Sequence, residues 1–320
     1  MIDIPRLRFA HLPTPVEELP RLSSVLGGPQ ILIKRDDQTG LALGGNKTRK
    51  LEFLLAEAKA QNADTLITAG AVQSNHCRQT AAAAARFGLK CLLVLFGDKP
   101  EQKSANLLLD ELFNAEVVWT DRAHRDEVLH QTNAQVESQG GHPYLAPYGG
   151  SSPTGALGYV FAMEELVQQG FHPDWIVLAS SSGGTQAGLV LGARLFGYHA
   201  GLLGISIDEP QAVLQERCAE LAVKASEKLG EPMGFTAEDV KVNSDYCAAG
   251  YGVVTELERD AVKLFAKSEG VLLDPVYTGR AAGGMIDLIR KGFFKKGQTV
   301  LFWHTGGSPA LFADKYQNQF

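Results

Sequence analysis

A chain of 320 residues with 45% hydrophobic and 21% charged positions has the composition of a folded globular protein of about two domains, not of a disordered tail, a fibre or a disulfide-stapled miniprotein. Its 30 basic and 36 acidic residues leave a formal charge of −6, which gives no net attraction to nucleic-acid phosphates or anionic lipid. The N-terminus has no leader-like apolar stretch and no run reaches a membrane span, so no membrane partner is expected, while four scattered cysteines without a CxxC pair argue for reduced thiols, a cytoplasmic setting and no metal site.

The first predicted helix covers 47–60, with Leu51, Leu54, Leu55 and Ala58 on one face and Lys50, Glu52, Glu57 and Lys59 elsewhere. Three strand-helix units follow: strand 65–69 with a helix near 75–87, strand 91–96 with 102–113, and strand 116–120 with 123–139. Beyond the Gly140-Gly141-His142-Pro143 and Tyr148–Pro153 punctuation come helix 154–169, strand 175–179, helix 184–197, strand 202–207, helices 210–229, 256–268 and 279–291, and strand 299–303. Near-continuous apolar strands alternating with helices predict an α/β fold with parallel-rich sheets covered on both faces. No repeat of 20 to 50 residues is visible, which removes solenoids and propellers.

Three glycine-rich loops sit where a strand feeds a helix, the place where backbone N–H groups and the helix dipole receive anions. Gly40 to Thr48 looks like a nucleotide-triphosphate loop, but Asn46 stands between the second glycine and Lys47 and breaks the required spacing. A plain glycine turn with Asn46 as N-cap accounts for the glycines but not for the lysine. Ser180 to Gly188 reads GGxxxG instead of GxGxxG, and Asp208 follows the next strand. A dinucleotide-binding oxidoreductase is therefore a rival, although these hydroxyls and amides suit a single phosphate better. The third loop, His304 to Pro309, reads equally as a strand-to-helix turn or a ligand contact. A lysine beside a glycine turn, a phosphate cradle and the Ser74-Asn75 pair together suggest pyridoxal phosphate, which needs an amine for its aldehyde, a phosphate anchor and a donor to its ring oxygen.

Seven motifs in order, IKRDD (Ile33 to Asp37), GGNKTRKLEFL (Gly44 to Leu54), GAVQSNHCRQTAAAA (Gly70 to Ala84), SSGGTQAGL (Ser181 to Leu189), GYG (Gly250 to Gly252), LLDPVYTGRAAGGM (Leu272 to Met285) and HTGGSPALF (His304 to Phe312), resemble the aminocyclopropane-carboxylate deaminase and D-cysteine desulfhydrase family. The resemblance implies a two-domain, tryptophan-synthase-β-like pyridoxal phosphate fold, with residues 51–158 as a small α/β domain inserted in a large one formed by 1–50 and 159–320. It also implies a lyase acting on a small amino acid, as a homodimer. By this likeness Lys47 is the aldehyde-bound lysine and proton shuttle. Asn75 partners the ring oxygen, and Lys50, Ser182, Gly183, Gly184 and Thr185 cradle the phosphate. Ser74, Tyr251 and Tyr277 lie beside the substrate. Ser74 and Asn75 also read as helix caps, and the tyrosines as core aromatics. His76 and Cys77 neighbour the site in sequence, but a helix turns at least one of them away, and neither is given a catalytic role.

Where the deaminases carry a glutamate after the tyrosine of DPVY and a leucine before the last glycine pair, this chain has Thr278 and Thr305. A glutamate near the ring nitrogen favours its protonation and a strong electron sink. A hydroxyl gives a weaker one, which suffices when a thiolate leaves from the β-carbon. The expected reaction is therefore α,β-elimination of D-cysteine. L-Cysteate sulfo-lyase is the nearest rival, and aminocyclopropane-carboxylate deamination follows it.

Overall fold

The computed structural model describes residues 4–320. In chain order its elements are β1 (Val16–Glu18), α1 (Pro20–Leu26), β2 (Gln30–Lys34), α2 (Asn46–Ala60), β3 (Thr65–Ala71), α3 (Asn75–Phe87), β4 (Lys90–Phe96), α4 (Ala105–Leu112), β5 (Glu116–Thr120), α5 (Arg125–Ser138), β6 (Pro143–Leu145), α6 (Pro153–Gln168), β7 (Trp175–Ser180), α7 (Gly184–Leu195), β8 (Gly201–Ser206), α8 (Gln211–Lys228), β9 (Lys241–Asn243), α9 (Glu256–Glu269), α10 (Thr278–Arg290) and β10 (Thr299–Trp303). They build one sheet in the order β1-β2-β10-β7-β8-β9 and another in the order β5-β4-β3-β6. Every pairing is parallel except β1 with β2.

The apolar runs are continuous because both faces of the larger sheet are covered. Leu32, Ile176, Leu178, Leu301 and Trp303 join one core cluster, while their alternating neighbours Ile31, Ile33, Val177, Val300 and Phe302 join another on the opposite face. Each such side chain contributes about 1.5–3 kcal/mol by leaving water. A third cluster, with Leu66, Leu93 and Leu95, sits against the four-stranded sheet.

All six strands read from the sequence are present. The additional ones are short or interrupted: β1, β6 and β9 have three residues each, and β2 ends on Lys34, a charge buried at 0% exposure through bonds to the Thr14 carbonyl, Glu165 and Gln169. Helix α2 departs from its expected half-exposed pattern, since Arg49, Lys50 and Glu52 are each only 1% exposed. Glu52 is inside because it accepts from the N–H groups of Phe9 and Ala10 and from Arg6. Leu51, Leu54, Leu55 and Ala58 of this helix face the third cluster while Phe53 faces the first, so α2 runs between the two sheets. The expected domain limits, 50/51 and 158/159, fall inside α2 and α6, and all strands of the four-stranded sheet lie between those limits. The loops after β3, β7 and β10 leave the carboxyl ends of their strands toward a common pocket, where open α/β sheets receive ligands.

Candidate active site

The pocket has a volume of about 50 Å³, and its walls include Lys47, Asn75, Tyr148, Ser182, Tyr277 and Thr305. Lys47 reaches it because the chain enters α2 through Gly44 and Gly45, at φ +67° and +124°. A side chain at Gly44 would fall onto the Asp37 carbonyl, so the glycine is required by space as well as by backbone angle. Gly45, not Asn46, is the N-cap. The Asn46 side chain instead crosses to the start of α7 and donates to Thr185 Oγ1 at 3.0 Å, while its N–H bonds the Thr305 carbonyl at 2.9 Å.

Lys47 Nζ donates to the Gly149 carbonyl at 3.0 Å. Lys47 is half-buried in the pocket wall, and burial lowers its pKa to about 8. Lys50 Nζ donates to the same carbonyl and to Ser151 Oγ, both at 3.2 Å. Burial first, and then the charge of Lys47, hold its pKa well below the usual lysine value. Ser151 also pairs with Ser182 Oγ at 2.7 Å and accepts from the Gly184 N–H at 3.1 Å. Gly183 caps α7 at φ +85°. Thus Lys50, Ser182, Gly183, Gly184 and Thr185 gather around one helix N-terminus, with Ser151 as a hub that the motifs did not announce.

Ser74 is the N-cap of α3, its Oγ accepting from the Cys77 N–H at 3.2 Å, and it also lines the pocket. Asn75 is consequently the first helical residue rather than the cap. Cys77 is fully buried, and burial pushes its thiol far up. His76 lines the pocket wall with Nε2 against Thr68 Oγ1 at 3.1 Å. Tyr277 faces the pocket and is hydrogen-bonded hydroxyl to hydroxyl with Tyr251 at 2.7 Å. Burial holds both phenols well above their usual pKa.

Thr278 does not line the pocket. It is fully buried, and its Oγ1 donates to Asp274 Oδ1 and accepts from the Asp274 N–H, each at 2.7 Å. Thr305 does line it, in a loop held by His304: Nε2 donates to the Leu272 carbonyl at 3.0 Å, leaving Nδ1 to accept from the Gly306 N–H at 3.2 Å. Asp208, which the dinucleotide reading would need for a ribose, accepts from Ser181 Oγ at 2.8 Å.

The sequence profile of the pyridoxal-phosphate dependent enzymes matches residues 7–306. The chain is 46% identical to the D-cysteine desulfhydrase of Salmonella typhimurium, over 97% of this chain and 96% of that protein. Among solved structures, one described as an ACC deaminase homologue superposes with a TM-score of 0.90 at 38% identity, covering 97% of this chain and 94% of the other. Threonine deaminase isoform 2 from Solanum lycopersicum shares the fold, with a TM-score of 0.65 at 16% identity over 92% of this chain and 79% of that one. With a lysine opening onto a pocket that is rimmed by a helix N-terminus, and a family match along most of its length, this chain belongs to the pyridoxal-phosphate dependent enzymes.

Proposed function

We propose that the protein catalyses α,β-elimination of D-cysteine, in which D-cysteine and water give pyruvate, ammonia and hydrogen sulfide. The observation that carries the reading is the Lys47 amine. It bonds a neutral carbonyl instead of a carboxylate, its pKa is lowered to about 8, and it opens onto the pocket shared with Asn75 and Tyr277. The likeness to the Salmonella typhimurium enzyme over nearly the whole of both chains supports the choice of substrate.

The residues fit pyridoxal phosphate. The α7 N-terminus and its left-handed Gly183 leave backbone close to the pocket, and Lys50 beside Ser151 has no carboxylate partner in its hydrogen bonds. Ser182, Gly183, Gly184, Thr185 and Lys50 would hold the phosphate, Asn75 the ring oxygen, and Thr305 the ring's edge. Bound there, the cofactor supplies an electron sink for the pair left on the substrate's α-carbon. Lys47 is the anchoring amine and the base that takes the α-proton, a role favoured by a pKa near the working range. Ser74 and the start of α3 receive the substrate carboxylate. Tyr277, steadied by Tyr251, donates a proton to the departing sulfur. Thr278 acts from behind the wall: its hydroxyl is spent on Asp274, so this position offers the ring no carboxylate, which suits a reaction whose electrons leave with the thiolate.

The same reading includes a homodimer, a cytoplasmic setting and a division into residues 51–158 against 1–50 plus 159–320. Leu43, Leu108 and Phe312, exposed at 64%, 42% and 65%, line one apolar groove, which supports pairing. All four cysteines are unpaired, as suits a reducing compartment.

The test is a visible spectrum and a product panel from D-cysteine, L-cysteine, L-cysteate and aminocyclopropane-carboxylate. A yellow protein that releases sulfide and pyruvate fastest from D-cysteine, and a Lys47→Ala variant without the Schiff-base absorbance or elimination, are expected. Faster release of sulfite from L-cysteate, or of 2-oxobutanoate from aminocyclopropane-carboxylate, would replace this assignment.

A further inference from the structure

Asn75 ends a buried chain of hydrogen bonds that begins on α4. Its Oδ1 accepts from Asn106 Nδ2 at 3.0 Å and from Arg78 Nη1 at 3.2 Å. The Arg78 guanidinium also donates to Asn106 Oδ1 at 2.9 Å and, through Nη2, to the Gly44 carbonyl at 2.7 Å. Asn106 is locked in turn, its N–H donating to Gln73 Oε1 and its Nδ2 to the Gln73 carbonyl, each at 2.9 Å. Arg78 and Asn106 are both 0% exposed.

An asparagine amide presents an acceptor on one side and donors on the other. With two N–H donors seated on Oδ1, the flipped amide would set donors against donors, so Nδ2 is the atom left for the pocket that Asn75 lines. Two further features single out this arrangement. Ala105, immediately before Asn106, is left-handed at φ +49°, which costs a residue with a Cβ about 1 kcal/mol or more. Arg78 also makes no direct bond to the buried carboxylate of Asp110: its Nε and both oxygens of Asp110 have no partner among the described residues, while its Nη atoms are turned to Asn75, Asn106 and Gly44.

We propose that Asn106 is a positioning residue, which with Arg78 sets the Asn75 amide so that Nδ2 donates to the ring oxygen of the cofactor. The inference rests on the reading of Asn75 as that oxygen's partner. Through the Gly44 carbonyl the same guanidinium is tied to the loop that opens α2, so the Asn75 donor and the Lys47 amine are held in register by one side chain.

The test uses the cofactor-loaded protein and the pH midpoint of its visible absorbance. In the loaded protein the ring oxygen would share the proton on the Lys47 nitrogen, and a donor on that oxygen would loosen the proton. Asn75→Ala is therefore expected to raise the midpoint by roughly half to one pH unit. Asn106→Ala should move it in the same direction and should add nothing in an Asn75→Ala background. Asn106→Asp keeps the size, gives Arg78 a charged partner in place of a neutral one and replaces the donor with an acceptor that invites the Asn75 amide to turn over, so it decides the matter should Asn106→Ala not fold. A midpoint moved by Asn75→Ala but not by either Asn106 variant overturns the proposal and leaves the Asn75 reading standing, as does a fully additive shift in the double variant. A midpoint unmoved by Asn75→Ala overturns both.

Discussion

Lys47 and Lys50, three residues apart on α2, both donate to the carbonyl of Gly149, at 3.0 and 3.2 Å. Two ammonium groups this close in a buried site repel each other, and burial followed by the charge of Lys47 keeps Lys50 well below its usual pKa. A phosphate held beside Ser151 and α7 would favour the charged lysine again, so cofactor binding is expected to take up a proton. Calorimetric titration of the cofactor-free protein in buffers of different ionisation heat measures that uptake. In Lys50→Met the uptake is expected to fall and the affinity to drop by about ten- to a hundredfold. Unchanged uptake would remove Lys50 from the phosphate site.

Thr278 is built into the start of α10 through Asp274, whose carboxylate accepts from the N–H groups of Val276, Tyr277 and Thr278 as well as from the Thr278 hydroxyl. Thr278→Glu brings a second carboxylate against the first in a buried position. It is expected to destabilise the protein by about 2 kcal/mol or more in denaturant unfolding, and not simply to convert its reaction class. Thr278→Ser, which keeps the hydroxyl, should lose less than half of that.

Arg49 lies two residues beyond Lys47 and ties α2 to the turn after β2 and to α6. It donates to Asp36 through Nε and Nη2 at 2.9 and 2.8 Å and to Glu165 at 2.9 Å. Tyr159 and Trp303 complete the shell on Asp36 at 2.6 and 2.8 Å. Burial works to raise the Asp36 pKa, but Arg49 foremost and Lys34 hold it at about 2. Arg49→Met removes the ion-pair partner of that buried carboxylate and is expected to cost about 3–5 kcal/mol, read as a lowered denaturant midpoint.

His304 carries an acid-side prediction. Burial lowers its pKa below the usual 6.5, so between its folded value and 6.5 the unfolded chain binds a proton that the folded chain does not. Stability is therefore lost as pH falls through that window. Protonated Nδ1 no longer accepts from the Gly306 N–H, which loosens the loop bearing Thr305. Unfolding free energies measured from pH 7.5 to 5 should fall less steeply in His304→Asn than in the parent. An identical slope would assign the acid sensitivity elsewhere.

Much of the fold was legible because each element announces itself locally. The apolar runs of β7 and β10 extend over both faces of a covered sheet, and the glycines at 44, 45 and 183 mark turns that residues with a Cβ resist. The ordered motifs likewise brought Lys47, Asn75 and Tyr277 into view before any geometry was known. By contrast β1, β2, β6 and β9 were not read as strands, because a buried lysine is satisfied only by distant partners and three-residue strands carry almost no pattern.

The sequence by itself determined the class of fold, through residue type and period, and its ordered motifs carried the likeness to the pyridoxal-phosphate dependent enzymes. Only the tertiary structure decided which atom of each side chain meets the pocket. The Asn75 amide is oriented by Asn106, 31 residues away, Lys50 is drawn inside by a carbonyl 99 residues on, and Thr278 turns from the pocket to Asp274. A hydrogen bond is specified by the position and direction of both partners, and for partners so far apart in the chain only the packed fold supplies them.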